Sequence, residues 1–224
     1  MSTSTENENL FLRLLREWGV FALVILIFYL SLWLFWSPVT VDGHSMDPTL
    51  ADGDRLIMLK TTGIQRFDVV VAKEKEAGSS KEKLIVKRVI GMPGDTIEYK
   101  DDVLYVNGQQ TDEPYLKEYL DAFQNDKLQT IYGQSGSRSK QFQTIAAAAS
   151  HFTLSSVTTD QDGKPTGSST FKVEVPEGQY FLLGDNRLVS LDSRSQSVGT
   201  FSREEILGEV KFRFWPFNHV GSIS

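Results

Sequence analysis

The chain of 224 residues contains no cysteine. That absence excludes disulfides, thiolate nucleophiles and cysteine-ligated zinc together. Histidine is almost as scarce. His44, His151 and His219 are the three in the chain, and their wide spacing matches no metal-ligand pattern, so neither a metal nor a cofactor is expected. Basic charge is in deficit: 23 Lys and Arg stand against 29 Asp and Glu, a formal charge of −6. A chain without a basic surplus is poorly suited to hold nucleic-acid phosphates. No G-x-S-x-G elbow occurs either, which removes the α/β-hydrolase route to a serine nucleophile.

Charge of either sign disappears altogether from Trp18 to Trp36, "WGVFALVILIFYLSLWLFW". At ~1.5 Å per residue this run makes roughly 28 Å of helix, enough for a hydrocarbon core of ~30 Å. Tryptophan at each end suits the membrane–water interface. The run is too long and too bulky for a cleavable signal peptide, and it lacks a small-x-small exit. It reads as a retained single-pass anchor in the lipid bilayer. Arg13 and Arg16 precede it, whereas Asp42, Asp47, Asp52 and Asp54 follow it and no Lys or Arg occurs before Arg55. This asymmetry predicts a cytoplasmic segment over 1–17, an anchor over 18–36 and an extracytoplasmic domain over 37–224.

Beyond Pro38 the pattern changes to short β-rich runs: "VTVDGHS", "RLIMLK", "FDVVVAK", "LIVKRVI", "TIEYK", "VLYVNG", "FKVEV", "QYFLL" and "GEVKFRFW". Gly, Asp and Pro separate them, which predicts a mostly β domain. "YKDDVLYVNG" predicts a hairpin turning at Asp101-Asp102. A variable excursion is expected over about 107–170: helix-like from Pro114 to Leu128, then polar from Gln129 to Ser169, an excursion from the core rather than a second catalytic domain. "KEKEAGSSKEK", 73–83, reads as a charged linker, residues 1–9 as disordered, and Ser202 with Glu205 as a capping box for a helical turn.

The chemistry concentrates around "VDGHSMDPTL", 41–50. If this stretch is extended, His44 and Ser45 point to opposite faces and the imidazole is a poor base for its neighbour, while Gly43 and Ser45 share a face. In "LIVKRVI", 84–90, alternation sets Lys87 beside Ile85 and Val89, with Arg88 on the other face. A lysine on an apolar face loses proton affinity and becomes a base near neutrality. Serine–lysine pairs are a variant of triad logic. The competing reading is an exposed edge-strand lysine that discourages aggregation. Ser80–Lys83 and Ser137–Lys140 match S-x-x-K but sit in polar stretches without partner motifs.

"GHSMDPTL" (43–50), "RFDVVV" (66–71), "KRVIGMPGD" (87–95) and "GDNRLVSLDSR" (184–194) resemble, in order, the signature boxes of bacterial type I signal peptidases, the S26 family with a Ser–Lys dyad. The single anchor and small size resemble the Gram-positive members. The resemblance implies a serine endopeptidase of the plasma membrane, built from coiled antiparallel β-sheets, that removes signal peptides from exported preproteins. It implies Ser45 as nucleophile, Lys87 as general base, Ser190 as a hydroxyl bonded to that lysine, and Asp185, Asp192 and Arg194 as supports. The oxyanion region would be Gly43 and the Ser45 N–H, and the pockets for small P1 and P3 residues would include Val41, Met46, Ile85 and Val86. Implied partners are signal peptides and the secretion translocon.

The sequence departs from the family at Phe67, where many relatives have glycine, at Gly43, where Gram-negative relatives carry a serine, and at Leu188 and Val189 in the last box. A self-cleaving Ser–Lys repressor shares G-x-S-M-x-P-T, but the anchor and the missing DNA-binding helices oppose it. A non-proteolytic chaperone for pilus assembly is the alternative from another class. Both the serine and the lysine standing in place oppose that one.

Overall fold

The computed structural model describes residues 4–60, 63–75, 82–128, 139–156 and 158–223. It divides into two compact units, Met1–Ser37 and Pro38–Ser224.

The first unit is a helix, α1, Ser4–Phe35. Within it, Glu17–Phe35 is long and apolar enough to cross a membrane. The helix reaches further toward the N-terminus than expected of a disordered 1–9. Extending a helix that is already nucleated costs far less than starting one.

The second unit holds two sheets, and every strand pairing in the registers described is antiparallel. β1, Trp36–Thr40, leads into it. The larger sheet runs on through β2 (Arg55–Leu59), β11 (Ile206–Trp215), β3 (Val69–Lys75), β4 (Glu82–Gly91), β9 (Gln179–Leu183) and β10 (Phe201–Ser202), with β12 (Gly221–Ser222) on β11. The smaller sheet is ordered β7 (Gln109–Gln110), β6 (Val103–Val106), β5 (Thr96–Lys100), β8 (Thr170–Glu174). The domain is mostly β, as its run pattern predicts.

Alternation explains how the larger sheet is buried on both faces. Val69 and Val71 of β3 join an apolar cluster with Val41, Met46, Leu50 and Val86. Val70 and Ala72 point the other way, to Ile85, Val89 and Leu182. The hairpin turns at Asp101-Asp102, both with positive φ, as a two-residue primed turn requires.

Three local expectations are corrected, and the helix-like stretch after Pro114 is borne out. "VTVDGHS" is extended only as far as Thr40, and residues 43–50 form turns. Ser202 and Glu205 make no helix. Glu205 Oε2 accepts from both the Ser202 N–H (2.8 Å) and its hydroxyl (3.1 Å), closing a turn from β10 into β11. The helix-like stretch after Pro114 is a 3-10 turn, Pro114–Leu116, followed by α2, Lys117–Gln124. The polar part of the excursion contains a helix, α3, Ser139–Ala148. The linker core 76–81, with Ser80, and the segment 129–138, with Ser137, lie outside the described residues.

Phe67 has φ 72°. A left-handed backbone of this kind favours glycine over a residue with a bulky side chain. Here the phenylalanine is held by a ring contact with Tyr115 at 5.4 Å and by Arg88 Nη1, which donates to its carbonyl at 2.8 Å.

Candidate active site

The turn carrying Ser45 is shaped by carboxylates. Asp52 Oδ1 accepts from the Gly43 N–H at 2.8 Å and Asp54 Oδ2 from the Ala51 N–H at 3.0 Å. Those bonds take backbone donors that a strand would spend on a ladder. Gly43 has φ 92°, so the expectation that 43 and 45 share one face of a strand does not hold. The strand argument about His44 fails with it. His44 is instead engaged elsewhere: its Nδ1 lies 2.9 Å from Asp47 Oδ2, and its ring meets Phe142 edge-on at 5.3 Å.

Lys87 sits in the middle of β4, opposite Val70 of β3. It is 4 % exposed. Burial drives its amine from 10.5 down to about 8, against the opposing pull of the Asp192 and Glu74 charges. The exposed edge-strand reading is therefore excluded. Ser45 and Lys87 line one cleft of about 620 Å³, together with Val41, Gly43, Met46, Ile85 and Val86. Val41, Met46 and Val86 also belong to the core cluster beneath.

The loop 184–194 packs against the serine turn from behind. Asn186 donates its backbone N–H to the Ser45 carbonyl (3.1 Å) and its side-chain amide to the His44 carbonyl (3.0 Å). Gly184 permits this approach. A Cβ there would lie 2.5 Å from Ser190 Cβ, and closer still to Ser190 Oγ and the Ser45 carbonyl oxygen. Ser190 Oγ is buried and makes no hydrogen bond of proper geometry, although it sits near enough to Asp192 to help keep that carboxylate ionised.

Three buried arginines brace the loop. Arg88 Nε and Nη2 donate to the two oxygens of Asp185 at 2.9 and 2.8 Å, which ties the residue beside Lys87 to the start of the loop. Arg194 grips Asp192 through Nε and Nη2 at 2.8 Å each and also donates to the Leu154, Arg187 and Ser190 carbonyls. Burial pushes Asp192 up, but Arg194 outweighs it and the carboxyl stays below the usual range. Arg187, fully enclosed, pairs with Glu113 and donates to the Tyr99 hydroxyl at 2.7 Å.

Asp185, Asp192 and Arg194 thus lie beneath the cleft rather than in it, and Ser190 lies beside Gly184. Sequence reasoning missed Asn186, Gly184, Arg187 and Glu113. The first three stand inside the "GDNR" motif, so the motif itself was the available signal; Glu113 had none.

Residues 15–215 match the family model described as signal peptidase, peptidase S26. A signal peptidase I of Streptococcus pneumoniae is 50% identical over 217 residues, covering 96% of this chain and 99% of that protein. A signal peptidase IB of Staphylococcus aureus is 37% identical over 209 residues, 91% of each. The crystal structure of a signal peptidase I from Enterococcus faecalis V583 aligns at 27% identity over 66% of this chain and 97% of that one, with a TM-score of 0.41, too low to add to the assignment. A match across nearly the whole chain, with identities of one-third to one-half, establishes that the chain belongs to the S26 family of signal peptidases.

Proposed function

We propose that this protein removes signal peptides from exported preproteins by acyl transfer through Ser45, with Lys87 as general base. The observation that carries the reading is a serine on a braced turn and a buried lysine, its amine lowered to about 8, lining one cleft. The named relatives are peptidases, and nothing favours a non-proteolytic chaperone of pilus assembly.

A binding mode is available on β4. β3 pairs with it from Glu82 to Arg88, but β9 pairs only from Arg88 to Gly91. Among the described residues no strand lies against the second edge of 82–87. An extended substrate adds there, its main chain hydrogen-bonded and its P1 and P3 side chains seated among Val41, Met46, Ile85 and Val86. The neutral Lys87 amine takes the Ser45 proton as Oγ bonds to the scissile carbonyl carbon. The Ser45 N–H stabilises the oxyanion in the Gly43 region. Collapse breaks the C–N bond, and Lys87 returns the proton to the leaving amine. Water, deprotonated by the same lysine, then frees the signal peptide from the acyl-enzyme. The expected bond from Ser190 to Lys87 is not made in the free enzyme, where the Ser190 hydroxyl is buried without a hydrogen-bond partner of proper geometry. On the family resemblance, this reading has it reach the Lys87 amine once substrate is bound. Asp185, Asp192 and Arg194 hold the loop that supports the serine.

In this reading α1 anchors the enzyme in the plasma membrane with its N-terminus cytoplasmic, so the domain meets preproteins as they leave the translocon. The test is processing of a preprotein by the full chain in liposomes. Wild type releases the mature protein. Ser45→Ala, Lys87→Ala and Lys87→Arg, each folded, do not. A guanidinium cannot lose its proton near neutrality, so an active Lys87→Arg enzyme would refute the base.

A further inference from the structure

α3 does more than cover the domain. Gln141, Phe142 and Ile145 line the same cleft as Ser45 and Lys87. Phe142 also packs, with Ala146, against Leu116, Leu128, Phe152 and Leu188 in an apolar cluster of its own. Phe142 is 5% exposed, and its ring touches His44, which Asp47 holds in turn. One apolar side chain of the helix is thereby fixed beside the residue that precedes the nucleophile. Leu188 and Val189 continue the same wall.

A strand added along the open edge of β4 sends alternate side chains to opposite faces. P1 and P3 share one face, with Val41, Met46 and Val86 of the sheet core. P2 and P1′ share the other. The wall of Phe142, Ile145 and Val189 belongs to neither sheet and to a separate cluster. We infer that α3 supplies an apolar subsite for the substrate side chain flanking P1, at P2 or P1′, and that Phe142 and Ile145 make the enzyme favour a large apolar residue there. This rests on the reading of the cleft as the signal-peptide site.

The test uses the full chain in detergent and peptides with Ala at P1 and P3, varied as Ala, Leu, Phe or Glu at P2 and, separately, at P1′. Wild type should favour Leu or Phe over Ala by about tenfold in kcat/KM at one of the two positions, the scale of discrimination an apolar pocket achieves. Phe142→Ala should bring that ratio close to one. Because Phe142 also holds the cluster together, Ile145→Lys, at a half-buried position, is the second variant, and it should shift the preference toward Glu. A wild-type ratio near one at both positions overturns the subsite, and so does a ratio unchanged in both variants. In either case cleavage of the all-Ala peptide leaves the proposed function standing. Failure of the wild type to cut any peptide overturns that function and the subsite with it.

Discussion

Replacing Gly184 by alanine tests whether the loop behind the nucleophile sets its position. The added Cβ falls 2.5 Å from Ser190 Cβ and closer to Ser190 Oγ and the Ser45 carbonyl oxygen. The last of these is backbone, so the clash cannot be relieved by rotating a flexible side chain alone. Overpacking of this kind costs about 1–3 kcal/mol, or about 2–12 °C in melting temperature for a domain of this size. A nucleophile moved by ~1 Å loses about 10²-fold in rate. Thermal melting and kcat/KM on a signal-sequence peptide, both with the full chain, measure the two effects. Gly208→Ala is the control, because its Cβ would strike the Leu59 backbone between β11 and β2, away from the cleft. It should lower the melting temperature similarly and spare kcat/KM below the transition. Adding Ser190→Ala to Gly184→Ala should recover part of the stability, since one clashing atom is gone. A folded Gly184→Ala enzyme with wild-type kcat/KM would refute the claim that this contact positions Ser45.

Lys87→Met should abolish cleavage yet stabilise the fold at pH 7. A fall from 10.5 to about 8 corresponds to roughly 3 kcal/mol, and between those values the unfolded chain binds more protons, so stability rises with pH. Thermal melts should show a higher melting temperature for Lys87→Met at pH 7 and a gap that narrows toward pH 10; no difference at pH 7 would contradict the burial penalty. Asp185→Ala leaves Arg88 charged, enclosed and unpaired, and urea unfolding should register a loss of about 3–5 kcal/mol. An effect under 1 kcal/mol would mean that the pair does not brace the loop. His44→Ala should lose less than about 10²-fold in kcat/KM, because a general base contributes ~10²–10⁴-fold and this imidazole is engaged by Asp47. A larger loss in a folded variant would point back to His44.

What could be read from sequence divides along physical lines. Alternation in an apolar run offered a buried Lys87 beside the competing reading of an exposed edge-strand lysine; the family resemblance favoured the first, and the side chain is buried. The β-runs located most of the strands because alternation is a local signal. The conformation of 41–50 was not legible. Val39, Thr40 and Val41 favour a strand, but Asp52 captures the Gly43 N–H from nine positions away, and nothing in the run itself announces that. α3 was hidden by its polar composition, although the alanine run 146–149 with Phe142 and Ile145 is a good helix former. The Arg187–Glu113 pair joins residues 74 positions apart, and a single buried ion pair leaves no periodic trace.

The central claim is that a neutral Lys87 takes the proton from Ser45, and the pH dependence of kcat/KM tests it most directly. Under single-turnover conditions with the full chain in liposomes, the rate should rise tenfold per pH unit from pH 5 and level off above about 8, where the lysine amine is mostly unprotonated. A rate that is flat from pH 6 to 10, or that levels off near the ordinary histidine value of ~6.5, would contradict it.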